Sequence, residues 1–331
     1  MKILYVVGTY DESGGSAAQP FVKSQIDSVH NEGHDVEVYN VRGNESNLNY
    51  LKAIPRIRSL IKNKNFDVVH GHYTYCGLVA ACQRIIPSFV SFMGSDLQGT
   101  PRENGRLSLH GHIDVWLSRL AQVMVKGKIV KSQGMYSALV NKSNTLVLPN
   151  GVNFDLFHPV DQLEARRALG LDENKKYVLF AGSYKNRNKC FHVVKEAVDL
   201  LKERYDNVEL LLAHGLSHEK IPLYMNAANT LALASMKEGS PNVVKEAMAC
   251  NLPVISTDVG DVSEVINGVD GCFIVDRTAE AFSERIEYVI GNVNRTEGRE
   301  AIADLAIERV ADRLVDFYAG FMNSNSKRNI Q

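Results

Sequence analysis

Two glutamates eight residues apart, Glu238 and Glu246, stand in the stretch Ser235-Met236-Lys237-Glu238-Gly239-Ser240-Pro241-Asn242-Val243-Val244-Lys245-Glu246-Ala247-Met248-Ala249-Cys250. The run leaves an apolar strand through a Gly/Ser turn and enters a helix with Pro241 as its expected first residue, so unpaired backbone N–H groups face the carboxyl edge of a sheet. Such a helix tip binds anions. Glu238 falls just before the helix and Glu246 about two turns along it, on the face of Asn242. A carboxylate accepts from two vicinal hydroxyls at once, the arrangement a ribose or hexose presents. Taken alone, a pair at this spacing reads more readily as a helix-dipole partner, Glu238, and a solvated surface residue, Glu246.

Other residues invite chemistry and support it less. Gly14-Gly15-Ser16 lies between the first strand and a helix beginning near Pro20, where a glycine-rich loop can approach phosphate closely. It lacks the full dinucleotide fingerprint and an acid placed for a ribose, which argues against NAD. His70-Gly71-His72 puts two imidazoles on one side of a strand. No third ligand is evident and no Asp-x-Asp occurs, so neither a metal site nor a cofactor is expected. Arg56, Arg58, Lys62 and Lys64 interleave with Ile54, Ile57, Leu60 and Ile61, a pattern that fits an anionic membrane surface or the solvated face of a packed helix.

The elements that must position these residues read as βαβ units occurring twice, which implies an α/β protein with two Rossmann-like parallel sheets. Strands are expected at 3–8, 36–41, 68–73, 89–94, 123–126 and 145–148, then at 177–181, 208–213, 231–235, 253–256 and 271–275. Between the two series, Pro149-Asn150-Gly151-Val152-Asn153 reads as a linker. The expected division is 1–150, 151–310, and a last helix over 311–331 that returns to the first domain and ends in a polar tail from Asn323. Two domains imply a cleft between them.

The 331 residues exceed one comfortable core, and 45% hydrophobic with 23% charged residues fits a folded globular chain. A net charge of −1 gives no global field for nucleic acid, so an anionic ligand must be met by local cations. Five cysteines without paired spacing fit a reducing cytoplasm. The amino terminus runs straight into a strand without the length of a signal segment, and a cytoplasmic location is expected.

The Glu-x7-Glu run, its Glu-Gly-Ser-Pro-Asn surround, the Glu-Ala-Met-Ala-Cys helix and the strand Pro253-Val254-Ile255-Ser256-Thr257 together resemble the retaining glycosyltransferases of family 4, which have the GT-B architecture. Asp258-Val259-Gly260-Asp261-Val262-Ser263-Glu264 and the linker extend the resemblance over nearly the whole chain. The resemblance implies that Glu246 binds the nucleotide ribose and Glu238 the donor sugar. The backbone around Ser240, Pro241, Asn242, Val243 and Val244 would meet the diphosphate. Lys189 matches the family's lysine on that diphosphate. Arg187 stands for its arginine, which the common pattern places nearer the strand end, where this chain has Ser183.

On the first domain, Gly14, Gly15 and Ser16 would face donor and acceptor, and Met93-Gly94-Ser95-Asp96 resembles the family's His-Gly-x-Asp segment. Met93 neither titrates nor donates strongly, so a catalytic histidine there is excluded. Gly94, Ser95 and Asp96 remain acceptor-side candidates, with His110 and His112 beyond them.

The implied reaction is metal-independent transfer of a sugar from a UDP- or GDP-sugar to a glycan or lipid-linked acceptor, in surface polysaccharide synthesis, with configuration retained. Two competing readings are a nucleotide-sugar 2-epimerase of GT-B-like fold, which needs no acceptor, and a non-catalytic sugar-binding protein with two lobes.

Overall fold

The computed structural model describes residues 1–10, 20–99 and 108–326, and they divide into two compact units: 1–150 with the C-terminal residues from Ile307, and 151–306. In chain order the first unit contains β1 (Lys2–Val7), α1 (Pro20–Asn31), β2 (Asp35–Asn40), α2 (Leu48–Lys64), β3 (Val68–His72) and α3 (Tyr73–Cys82). It continues through β4 (Ser88–Ser91), α4 (Ser95–Gln98), α5 (Leu109–Met124), β5 (Gly127–Val130), α6 (Gln133–Ser137) and β6 (Thr145–Val147). The second unit contains α7 (Gln162–Leu169), β7 (Lys176–Ala181), α8 (Phe191–Lys202), β8 (Val208–Ala213), α9 (Ile221–Ala227) and β9 (Thr230–Leu233). It ends with α10 (Asn242–Ala249), β10 (Val254–Ser256), α11 (Val262–Val265), β11 (Phe273–Ile274), α12 (Ala279–Asn292) and α13 (Gly298–Ala301). Helix α14 (Ile307–Ser326) belongs to the first unit.

Both sheets are parallel, in the orders β2-β1-β3-β4-β5-β6 and β11-β10-β9-β7-β8. Parallel strands are covered on both faces and therefore read as continuous apolar runs. In β1, Ile3, Tyr5 and Val7 face one core with Val310, Leu314 and Tyr318 of α14, while Leu4 and Val6 face the other with Ile57 and Ile61 of α2. Helix α2 thus buries its apolar stripe in the core and turns Arg56, Arg58, Lys62 and Lys64 outward, as a packed helix with an exposed basic face.

Two elements differ from the sequence reading. The strand expected at 123–126 is the end of α5 and its exit, and the paired strand is the next run, Gly127–Val130. Both runs are apolar. Gly127 decides between them, because a Cβ there would sit 2.6 Å from the Phe89 ring and only the glycine run fits beside β4. The polar tail also starts later than expected, since α14 carries Asn323–Ser326 in helical form.

Candidate active site

In the second sheet, β7 lies between β8 and β9, so the chain leaves β7 toward one side and later returns on the other. The carboxyl ends of β7 and β9 form a topological switch point, where open α/β sheets bind ligands. The loop after β7 closes into a 3-10 turn at Arg187–Lys189, begun by Asn186, whose side chain accepts the Asn188 N–H. The Met236 amide donates to the Asn188 carbonyl at 2.8 Å, and the Asn188 side-chain amide donates to the Lys237 carbonyl at 2.8 Å. These two bonds join the β7 and β9 loops and hold Lys189 Nζ 2.7 Å from Glu238 Oε1. The side chains are 21% and 17% exposed, so the pair is fixed yet reachable. Arg187 is exposed on the same turn.

Pro241 is the cap of α10, with φ −69° and ψ 112°, one position before the helix proper. An extended cap residue lets the chain enter the helix from the tight Gly239-Ser240 turn. The Val244 N–H already donates to the Pro241 carbonyl at 3.3 Å, so the amides of Asn242 and Val243 are the ones at the tip. Glu246 is buried within α10, which excludes the solvated surface reading. Its Oε1 lies 2.8 Å from Nε2 of His218, in the 3-10 turn that follows β8. The bond to this carboxylate raises the His218 pKa against the opposing effect of burial, favouring the imidazolium. Sequence reasoning missed His218; its one signal was a place just beyond a strand's carboxyl end.

Beneath the loop, Lys245 and Asp261 form an ion pair at 2.9 Å with both side chains 1% exposed. Ser240 Oγ donates to Asp261 Oδ2 at 2.7 Å and also contacts Lys245 Nζ. The Ser240 hydroxyl is therefore committed to holding the loop, and only its backbone can face a ligand. Gly260 has φ +64°, and a Cβ there would fall 2.8 Å from the Gly239 carbonyl, so only glycine lets the β10 loop close against the β9 loop.

The first sheet repeats the device: β1 lies between β2 and β3. At the carboxyl ends of β1 and β3 is a cavity of about 280 Å³ lined by His72, Tyr50, Tyr75, Ser95, Asp96 and Asp114 among others. Asp96 accepts the amides of Met93 at 2.9 Å, Gly94 at 3.0 Å and Thr74 at 3.1 Å, so its carboxyl builds the turn after β4. Gly94 takes φ +123° in that turn. Burial pushes the Asp96 pKa up to about 6 despite the three amide bonds, and Ser95 is exposed beside it. His72 is 1% exposed with neither ring nitrogen partnered, and burial together with the Lys131 ammonium lowers its pKa to about 3. It is neutral at physiological pH. The Tyr75 hydroxyl donates to Asp114 Oδ1 at 2.9 Å, and the Tyr50 and Tyr75 rings lie 5.3 Å apart. Tyr73, at φ +67°, is a non-glycine residue in the left-handed region, the kind of strain that collects at functional sites.

His110 and His112 are exposed on the first turn of α5, and the residue that helix contributes to the cavity is Asp114. Gly14, Gly15 and Ser16 lie outside the described residues. His70 bonds Ser91 Oγ at 2.9 Å and the Tyr318 hydroxyl at 2.5 Å. Among the described residues no three metal-ligating side chains converge. Two larger recesses of about 560 Å³ in the second unit, one bordered by Thr257, Asp258 and Arg277 and one by Arg295, include none of Lys189, Glu238 and Glu246.

Two parallel-sheet α/β domains, each with polar groups gathered at its switch point, define a GT-B protein. The model of glycosyltransferase family 4 matches residues 6–156, and that of the group 1 glycosyl transferases matches residues 212–292. The chain belongs to these family 4, group 1 glycosyltransferases, and it is a transferase. It is 23% identical over 240 residues to TuaC of Bacillus subtilis, named as a teichuronic acid biosynthesis glycosyltransferase; the match covers 66% of this chain and 60% of TuaC. Sucrose-phosphate synthase of Thermosynechococcus elongatus superimposes with a TM-score of 0.80 at 18% identity, over 98% of this chain and 100% of that one. HepE of Anabaena, solved with UDP-glucose, gives a TM-score of 0.71 at 18% identity, over 97% and 100% of the two chains. No helix among the described residues is long and apolar enough to cross a membrane.

Proposed function

We propose that the protein moves a sugar from a UDP-type nucleotide donor to a hydroxyl of a glycan or lipid-linked acceptor, with retention of anomeric configuration, in the synthesis of a polysaccharide. The carrying observation is the Lys189–Glu238 pair across the β7/β9 switch point, with Glu246 and His218 on the neighbouring elements. UDP and UDP-glucose in HepE support the choice of donor, and the name of TuaC supports the polysaccharide product.

In this reading the ribose hydroxyls donate to Glu246 and the donor sugar is held by Glu238. The bond from the anomeric carbon to the diphosphate breaks while the acceptor oxygen bonds to that carbon from the same face, its proton passing to the departing phosphate oxygen. Charge grows on the leaving diphosphate as the bond breaks. Lys189, Arg187 and the amides of Asn242 and Val243 stabilise it, and no metal ion is required for that task. The acceptor hydroxyl is presented from the first domain's cavity, by Ser95 and Asp96 with His72 and the Gly94 turn beside them. The enzyme works in the cytoplasm in peripheral contact with the cell membrane.

The test is thermal stabilisation by UDP, GDP, ADP and their sugar conjugates in excess chelator. At a hundred times its dissociation constant, a ligand adds about 2.7 kcal/mol. Stabilisation by UDP compounds, absent in Glu246→Ala, is the expected result; no response to any of the nucleotides sinks the donor reading. An inverted product sinks retention. Sugar epimerisation without acceptor would replace transfer by the epimerase reading.

A further inference from the structure

Helix α5 packs through Ala121, Val125 and Gln122, yet Leu109, Ile113, Trp116, Leu120 and Val123 are 40% to 73% exposed. Their spacing of four, three, four and three residues sets them on one face, along the whole helix, over roughly 20 Å. On the packed side of the helix, Gln122 Oε1 accepts the N–H groups of Val140 and Asn141 at 3.0 and 3.2 Å, which ties α5 to the segment before β6 and leaves the other side bare. An apolar face this continuous is not the scattered exposure of an ordinary surface.

The charge around it is one-sided. Residues 108–147 contain Arg119, Lys126, Lys128, Lys131 and Lys142 against a single carboxylate, Asp114, in a chain whose net charge is −1. Lys128 and Lys131 are buried, whereas Arg119, Lys126 and Lys142 are exposed. Asp114 is bonded to the Tyr75 hydroxyl. The surface thus combines an apolar stripe, uncompensated cations and the chain's one tryptophan, an amphipathic ring suited to the headgroup level of a bilayer.

We propose that the exposed face of α5 docks on an anionic lipid surface. Self-pairing through the same face would bring its cations against those of a second copy, whereas anionic headgroups neutralise them. Asp114, on the same helix, lines the first-domain cavity, so docking brings that cavity to the membrane. Service to a lipid-linked acceptor rests on the transferase reading above; the docking does not.

The experiment uses the full chain with vesicles of phosphatidylcholine alone and with about one third phosphatidylglycerol, reading sedimentation and Trp116 emission. The expected result is co-sedimentation and a blue shift with the anionic vesicles, weakening as salt is raised. Ile113→Glu with Leu120→Glu should weaken partition at least about tenfold while leaving the melting temperature unchanged, since both residues are exposed. Absence of binding with unaltered emission overturns the proposal. Equal binding to neutral vesicles, or a vesicle-independent blue shift that grows with protein concentration and vanishes in the double variant, overturns it too. Stabilisation by UDP, measured on the same preparation, tests the donor site separately: vesicle binding without UDP stabilisation retains this proposal and removes the other.

Discussion

The two switch points hold their polar groups in different electrical surroundings. At the end of β7 and β9 the groups are ionic and partnered: Lys189 with Glu238, and Glu246 with a His218 whose affinity for its proton is raised. At the end of β1 and β3 burial works against charge: His72 is lowered to about 3 and the Tyr50 hydroxyl is pushed up to about 12, so both are neutral, while Asp96 is raised to about 6 and keeps its charge near pH 7 with three amides on it. The same topology thus produces one edge built on ion pairs and another built on buried polar groups, of which His72 has no hydrogen-bond partner. What differs is burial. A carboxylate beside His218 favours its charged form, whereas burial without a partner favours the neutral form of His72.

Four substitutions or titrations break or sharpen that contrast. Lys245→Met leaves Asp261 buried without its cation and should cost about 3–5 kcal/mol of stability, read as a fall in melting temperature. Adding Asp261→Asn should recover most of that loss, because the unpaired charge goes with it. If the single variant melts like the parent, the buried pair does not support the donor loop.

Lys189→Ala should slow transfer by roughly a hundredfold or more, near 3 kcal/mol of barrier, while UDP stabilisation falls less. An unchanged turnover number under saturating donor would remove Lys189 from the leaving-group role. At the edge of the first sheet, Tyr75→Ala removes an aromatic wall and the hydroxyl bonded to Asp114. It should raise the acceptor KM about tenfold and leave UDP stabilisation intact. Loss of UDP binding in this variant would mean that the two edges are not separate in function.

The smallest effect is a pH dependence. The folded His218 pKa lies above its ordinary 6.5, so the stability from its bond to Glu246 is fully present below that value and is lost as pH rises through the raised folded value. His218 is nearly half exposed, which keeps the effect small. Melting temperature and UDP affinity followed upward from pH 6 should both decline, and His218→Asn should flatten the profile. His72 contributes nothing in this window, because it is already neutral there.

The donor edge was legible in the sequence because its parts are close along the chain. Glu238, Ser240, Pro241 and Glu246 fall within nine residues, and a strand, a turn and a helix follow from composition alone. Even there Pro241 stood one position off, and the partners were hidden: Lys189 is 49 residues from Glu238, and His218 is 28 residues from Glu246. The first-domain cavity was legible only in Ser95 and Asp96, beside the Gly94 turn; Tyr50, His72, Tyr75 and Asp114 come from four elements with no shared motif.

By itself the sequence determined the two series of βαβ units, the break near Gly151 and the helix tip that carries the Glu-x7-Glu run. These follow from local periodicity and from turn residues, which act over a few positions. Only the tertiary structure decided which run after α5 becomes a strand, which charges are paired or silenced, and that the stripe on α5 is left uncovered. Those outcomes depend on which residues distant in the chain pack against one another, and periodicity carries no record of the partner.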